Sequence, residues 1–147
     1  MSAHIRQAIE ADLPSVLALY AQPDLDNGHV LSEHEARAVF AQFARYPNYR
    51  LFVALRDDRV VGTYALLVMH NLAHRGAPSA IAEDVVVDRA YQGQGIGRQM
   101  MAHALQRAKE AGCYKLALSS NRKRKDAHAF YESLGFQQHG LSFVMEP

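Results

Sequence analysis

The run Gln92-Gly93-Gln94-Gly95-Ile96-Gly97 constrains this chain more than any other segment. It follows an apolar stretch, Ala82-Glu83-Asp84-Val85-Val86-Val87, and opens an apolar-periodic one over 96–108. The pattern reads as a strand, a glycine-rich turn and a helix. Glycine adopts positive φ and lets backbone approach a ligand closely. The first turn of a helix leaves N–H groups unpaired at the positive end of its dipole. Together these features make a seat for a phosphate or pyrophosphate. A dinucleotide fingerprint would need G-x-G-x-x-G and an acidic residue about 20 residues further on. Here Gly93, Gly95 and Gly97 alternate, and no acidic residue closes a following strand. A P-loop ends in Gly-Lys-Ser/Thr, whereas Gly97 is followed by Arg98 and Gln99. A turn fixed only by packing stays open as the plain alternative.

A chain of 147 residues predicts a single domain over 1–147 with a real core. Sixteen Lys and Arg against fifteen Asp and Glu leave a net charge of +1, which argues against a nucleic-acid footprint. One cysteine, Cys113, excludes an internal disulfide, and its apolar setting reads as core. No apolar run has the length of a membrane span, and the first residues lack a signal-peptide centre. A cytoplasmic protein without a membrane partner is expected. Eight histidines raise a metal reading. His70 and His74 are four apart but fall in strand and loop, without a third ligand nearby in sequence, so no metal is expected.

Along the chain, 4–9 alternates as a strand, and Asp12 offers a cap to a helix whose face is Leu13, Val16, Leu17 and Tyr20. Residues 21–30 read as a loop. Ser32 and Glu35 fit a capping box before a helix with Ala36, Val39, Phe40 and Phe43 on one face. Strands at 50–55 and 60–69 form a hairpin about Asp57-Asp58. A strand at 80–87 precedes the glycine turn. The following helix ends at Gly112, a strand covers 114–118, a helix covers 125–134, and Gly135 ends it. Residues 136–145 read as one or two closing strands. The order β-α-α-β-β-β-α-β-α-β predicts an α/β fold of the α+β mixed-sheet kind. Its central sheet is mostly antiparallel, with a β-α-β crossover and flanking helices.

Three runs carry a family resemblance: 82–87, then Tyr91 to Gly97, then Ala129-Phe130-Tyr131-Glu132-Ser133-Leu134-Gly135-Phe136. They resemble the GCN5-related N-acetyltransferase (GNAT) superfamily, whose Q/R-x-x-G-x-G/A turn is met by Gln92, Gly95 and Gly97. Within the family, 83–112 with Gly112-Cys113-Tyr114-Lys115 resembles glucosamine-6-phosphate N-acetyltransferases. The run 119–128 looks more like aminoalkylphosphonate acetyltransferases. The resemblance implies a GNAT-type fold and transfer of an acetyl group from acetyl-CoA to a primary amine, of a small molecule first, by direct attack on the thioester. A protein or peptide amine, or a non-catalytic acyl-CoA sensor, are the competing implications.

The resemblance also implies residue roles. Backbone of Gln92, Gly93, Gln94, Gly95, Ile96 and Gly97 would hold the pyrophosphate, with Arg98 adding charge or facing solvent. Main chain of Val85, Val86 and Val87 would pair with the pantetheine arm and polarise the thioester carbonyl. Asn121 stands where relatives touch the pantetheine, although its connection to Tyr131 is longer than usual. Tyr131 would donate to the departing sulfur, or would simply pack on its helix stripe. Glu83 is the candidate base, because a carboxylate inside an apolar strand is costly unless solvated or paired. Strand alternation sends Asp84 to the opposite face. The run Arg122 to Lys125 would meet the 3′-phosphate or an anionic acceptor, or be a solvated loop. A homodimer through 140–145 is a further expectation.

Overall fold

A computed structural model describes residues 2–147, so that Met1 lies outside the described residues. The chain forms two compact units, Met1–Ala117 and Leu118–Pro147. The first contains β1 (His4–Gln7), α1 (Leu13–Tyr20), α2 (Glu33–Phe43), β2 (Tyr49–Arg56), β3 (Arg59–Met69), β4 (Ser79–Val87) and α3 (Ile96–Glu110). A short β5 (Leu116–Leu118) ends on the first residue of the second unit, which carries α4 (Lys125–Ser133). The sheet order is β1-β2-β3-β4-β5, with β1, β2, β3 and β4 antiparallel in sequence. The mixed α/β architecture follows the sequence reading.

Local chemistry explains the element ends. Ser32 Oγ accepts from the Glu35 N–H and Glu35 Oε1 accepts from the Ser32 N–H, both at 3.1 Å, closing the capping box of α2. Asp57 and Asp58 both take positive φ, 50° and 62°, the requirement of a two-residue hairpin turn whose twist suits the strands. At the end of α3 the Cys113 N–H donates to the Ala108 carbonyl and the Gly112 N–H to the Lys109 carbonyl, a Schellman motif that needs Gly112 at φ 76°.

The core lies on both faces of the sheet. On one face Leu13 and Val16 of α1 and Ala36 of α2 bury with Ala8, Leu51, Val53 and Ala65. On the other, Ile96, Met100 and Ala104 of α3 are at most 1% exposed. A Cβ on Gly62 would stand 3.0 Å from the Met100 sulfur, so glycine is what lets α3 approach β3. Tyr64 stacks on Phe52 and its hydroxyl lies 2.6 Å from His103 Nδ1.

Four sequence expectations change. Asp12 does not cap α1 with its side chain; it is buried, with its carboxylate held by Arg6 at 2.7 and 3.0 Å and by the Ile9 N–H at 2.8 Å. A bidentate charged partner is a stronger claim on the carboxylate than a helix N–H. Val39 is exposed, and Ala36 alone is fully buried on α2. Residues 136–147 form no strand, and Leu141, Phe143, Val144 and Met145 are 84–96% exposed. Apolar residues cluster at 141–145, but a strand needs a neighbouring edge to satisfy its backbone, which composition cannot supply. The fourth concerns Asp84 and belongs with the site.

The Arg6–Asp12 pair yields a stability prediction. Arg6 hydrogen bonds hold the Asp12 carboxyl below the usual carboxylate range, despite the opposing effect of burial. A depressed folded value means that the pair stabilises above the unfolded pKa of about 3.9 and loses that contribution as pH falls through the folded value. Asp12→Ala should therefore cost about 1–3 kcal/mol at pH 7. The gap between parent and variant should narrow in acid, as read from urea midpoints at pH 7 and pH 3. A gap that stays constant across that range would contradict the pairing.

Candidate active site

β4 carries the site's backbone, and its register slips at one place. Ala65 stands opposite Glu83 and Thr63 opposite Val86, so Tyr64 faces two residues, Asp84 and Val85. Asp84 takes φ 53°, which a short polar side chain tolerates. This is a β-bulge, and bulges recur where a strand must be re-aimed next to a functional site. It also corrects the alternation reading, because Glu83 and Asp84 are both exposed. Partial burial, then the Asp26 charge, push the Asp84 carboxyl above its ordinary range. The same neighbourhood raises the phenol of Tyr20, chiefly by burial and then by Asp84.

Beyond the bulge the strand's polar groups alternate between its two edges. The Asp88 N–H donates 2.8 Å to the Val61 carbonyl of β3. By strand alternation, Val85 and Val87 then direct their N–H and C=O away from β3. Val86 buries its side chain (5% exposed), as a core position should. The outward Val87 carbonyl accepts from Gln22 Nε2 at 3.2 Å and from Gln92 Nε2 at 3.3 Å.

The strand then enters the glycine-rich turn before α3. Asp88 Oδ1 caps the following turn through the Ala90 N–H at 2.9 Å. Gly93 and Gly95 take φ 77° and 85°, and a Cβ on either would meet no protein atom within 4 Å. Gly95 is the N-cap of α3, and its carbonyl accepts the first bond of the helix from Gln99 at 3.0 Å. The N–H groups of Ile96, Gly97 and Arg98 thus begin a 15-residue helix whose N-terminus faces open space beside two glycines. Ile96 is 1% exposed and anchors the turn on the core, while Arg98 is exposed. This arrangement fits a pyrophosphate on physical grounds alone.

The sequence reading missed two arginines. Arg56 and Arg59, at the β2–β3 turn, place their guanidinium carbons 6.0 and 5.8 Å from the Tyr91 ring centre. Arg56 also donates to Gln94 Oε1, and Arg59 lies 3.9 Å from Asp88. The signal was present as Arg-Asp-Asp-Arg at a hairpin tip, but nothing in one sequence says which loop a hairpin tip meets.

In the second unit, Asn121 Oδ1 accepts from the Lys123 N–H at 2.9 Å, and its backbone carbonyl lies 2.8 Å from His128 Nε2. Tyr131 is half-buried on α4 with Phe130 and Leu134. The Phe136 N–H donates to the Tyr131 carbonyl and the Gly135 N–H to that of Glu132, a second Schellman motif. The Tyr131 and Phe136 rings meet edge-on at 5.8 Å, the apolar contact that accompanies the motif. Burial raises the Tyr131 phenol, so it stays protonated at neutral pH. Cys113 is half-buried and burial raises its thiol too, the opposite of an activated nucleophile. Among the described residues no three His, Cys, Asp or Glu side chains gather as a metal site requires. No helix among them is long and apolar enough to cross a membrane.

Known proteins share this arrangement. The profile of the Acetyltransferase (GNAT) family matches residues 13–136. An aminoalkylphosphonate N-acetyltransferase from Salmonella typhimurium is 37% identical over 95% of this chain and 88% of its own length. A glucosamine 6-phosphate N-acetyltransferase from Trypanosoma brucei brucei is 36% identical over 61% of this chain and 59% of its own. Among solved structures, one described as a transcriptional regulator from Bacillus halodurans C-125 superposes with a TM-score of 0.90 at 32% identity, covering 98% of this chain and 99% of that one. The family profile runs through both the bulged strand with its glycine turn and the Tyr131 helix, and the chain belongs to the GNAT family of acetyltransferases as an N-acetyltransferase.

Proposed function

We propose that the chain moves the acetyl group of acetyl-CoA to the primary amine of a small molecule. The anion seat at Gly93, Gly95 and the α3 N-terminus carries this reading, because its N–H groups and open space suit the donor's pyrophosphate. The outward N–H and C=O of Val85 and the outward N–H of Val87 suit a chain of amides running along the strand, while the Val87 carbonyl is held by Gln22 and Gln92. The two units act as one catalytic domain, in keeping with a family profile that crosses their boundary. The cytoplasm fits a single free cysteine.

In this reaction the amine nitrogen attacks the thioester carbon, a C–N bond forms and the C–S bond breaks. An N–H of the 85–87 backbone steadies the oxyanion. Glu83 takes the ammonium proton, directly or through water. Tyr131 gives its proton to the leaving sulfur, a task that suits a phenol kept neutral by burial, and the second proton, lost from the attacking nitrogen as the amide forms, restores the phenol through water. Asn121 steadies the pantetheine arm. Arg98 adds charge at the pyrophosphate, and the 122–125 run meets the 3′-phosphate or an acceptor anion. The relatives' names favour the last option, since a phosphonate and a sugar phosphate both carry one. The exposed apolar side chains of 141–145 suit a homodimer contact.

Glu83 is exposed, and no arginine pairs with it among the described residues, which leaves it free to collect a proton. Glu83→Gln should lower kcat/KM near neutral pH by about 10²–10⁴-fold and recover at high pH, where the amine deprotonates unaided. The raised Asp84 carboxyl is the rival base. Should Asp84→Asn give that pH–rate profile while Glu83→Gln matches the parent, the role passes to Asp84. A second reading, a regulator that binds acyl-CoA without turnover, draws only on the name of one solved relative; thiol release in the presence of an amine decides against it.

A further inference from the structure

One carbonyl joins the loop after α1 to the glycine turn. The loop after α1 folds on itself, with the Leu25 and Asn27 N–H groups donating to the Gln22 carbonyl at 3.1 Å each and the Gly28 N–H to that of Ala21 at 2.8 Å. The Gln22 side chain leaves this loop and grips the end of β4. Its Nε2 donates to the Val87 carbonyl at 3.2 Å, and its Oε1 accepts from the Arg89 N–H at 2.9 Å. These are the outward-facing groups of alternate residues, so the carboxamide bonds the end of the strand as the N–H and C=O of one residue in a neighbouring strand would. Gln92, the first residue of the glycine turn, donates to the same Val87 carbonyl. Both lone pairs of that oxygen are thereby used, one by the loop and one by the turn. A second tie, Asp24 to Arg89 at 3.2 Å, is exposed and contributes little.

We propose that Gln22 is a positioning residue that couples the 21–28 loop to the donor-binding turn through the Val87 carbonyl. A donor that fixes the turn and the outward β4 backbone fixes Gln92 and Val87. It thereby strengthens the grip of Gln22 and orders the loop. The inference rests on the donor reading given above, because only that reading places a ligand on this backbone. Two sites coupled through a shared element must bias each other's order.

Amide hydrogen exchange with and without acetyl-CoA tests it. In the parent, acetyl-CoA should slow exchange of the 92–99 amides and, with them, those of Asp26, Asn27 and Gly28. Gln22→Met keeps the side chain's length and removes both hydrogen bonds. In that variant the free loop should exchange about 10-fold faster, as two lost hydrogen bonds imply. Acetyl-CoA should still protect the turn but no longer the loop. Gln22→Asn, one methylene shorter, should behave alike by a gentler change, while Asp24→Asn should keep the parental response. Equal loop protection in parent and Gln22→Met overturns the coupling, as does a parent whose turn responds while its loop does not. A turn that ignores acetyl-CoA in the parent overturns the donor reading itself, and the coupling with it.

Discussion

Calorimetry on a folded Gly95→Val protein should show acetyl-CoA binding weakened by at least about 100-fold, or about 2.7 kcal/mol. Gly95 sits at φ 85°, and a β-branched residue there is strained by about 1–3 kcal/mol. A Cβ at this position meets no protein atom within 4 Å, so the substitution raises no clash within the fold itself. The new side chain instead occupies the space in front of the helix N-terminus, where the proposed donor would place its pyrophosphate. Relaxing the strain would also turn the α3 N–H groups away from the ligand. The fold should survive, because Ile96 next to it is held in the core. Thermal unfolding should shift by a few degrees while affinity collapses. Unchanged affinity in the folded variant would remove the turn from donor binding.

Tyr131→Phe should lower kcat by about 10–1,000-fold while the acetyl-CoA Kd stays within about 3-fold of the parent. The ring holds a structural post, closing the Schellman motif against Phe136, and phenylalanine keeps that contact. Only the hydroxyl is lost. A hydroxyl that serves the departing sulfur matters late in the reaction, which lowers kcat rather than donor binding. Turnover at the parental rate with an accepted amine would leave Tyr131 as packing alone. The structural post makes the phenylalanine substitution the informative one, since alanine would unsettle the helix end and confuse the two roles.

Much of this fold could be read from local chemistry. Ser32 with Glu35, the Asp57-Asp58 turn, Gly95 before α3 and Gly112 after it each mark an element end through a requirement of the adjacent backbone. The strand, glycine turn and helix start were legible for the same reason, since they reside in consecutive residues. What stayed hidden depends on partners in other elements. The Asp84 bulge arises from a register slip between β3 and β4, and no residue type announces it. Asp12 looked like a cap because its partner, Arg6, belongs to another element. Gln22 is 65 residues from Val87, and a glutamine in a polar loop carries no signal of its own. Residues 136–145 hold strand-forming apolar residues, but pairing is a property of an edge, not of composition.

The central claim is a transfer reaction, and thiol release measures it most directly. The protein is mixed with acetyl-CoA and, one at a time, aminoalkylphosphonates, amino sugars and their phosphates, polyamines, amino acids and a histone-like peptide. Free coenzyme A is followed by its thiol and the product by mass. The account predicts amine-dependent thiol release with at least one small primary amine, accompanied by a product heavier by one acetyl group and abolished in Gly95→Val. Saturable acetyl-CoA binding with no thiol released above the hydrolytic background by any amine would contradict it and make the chain a sensor. Release with the peptide alone would move the acceptor from small molecules to proteins.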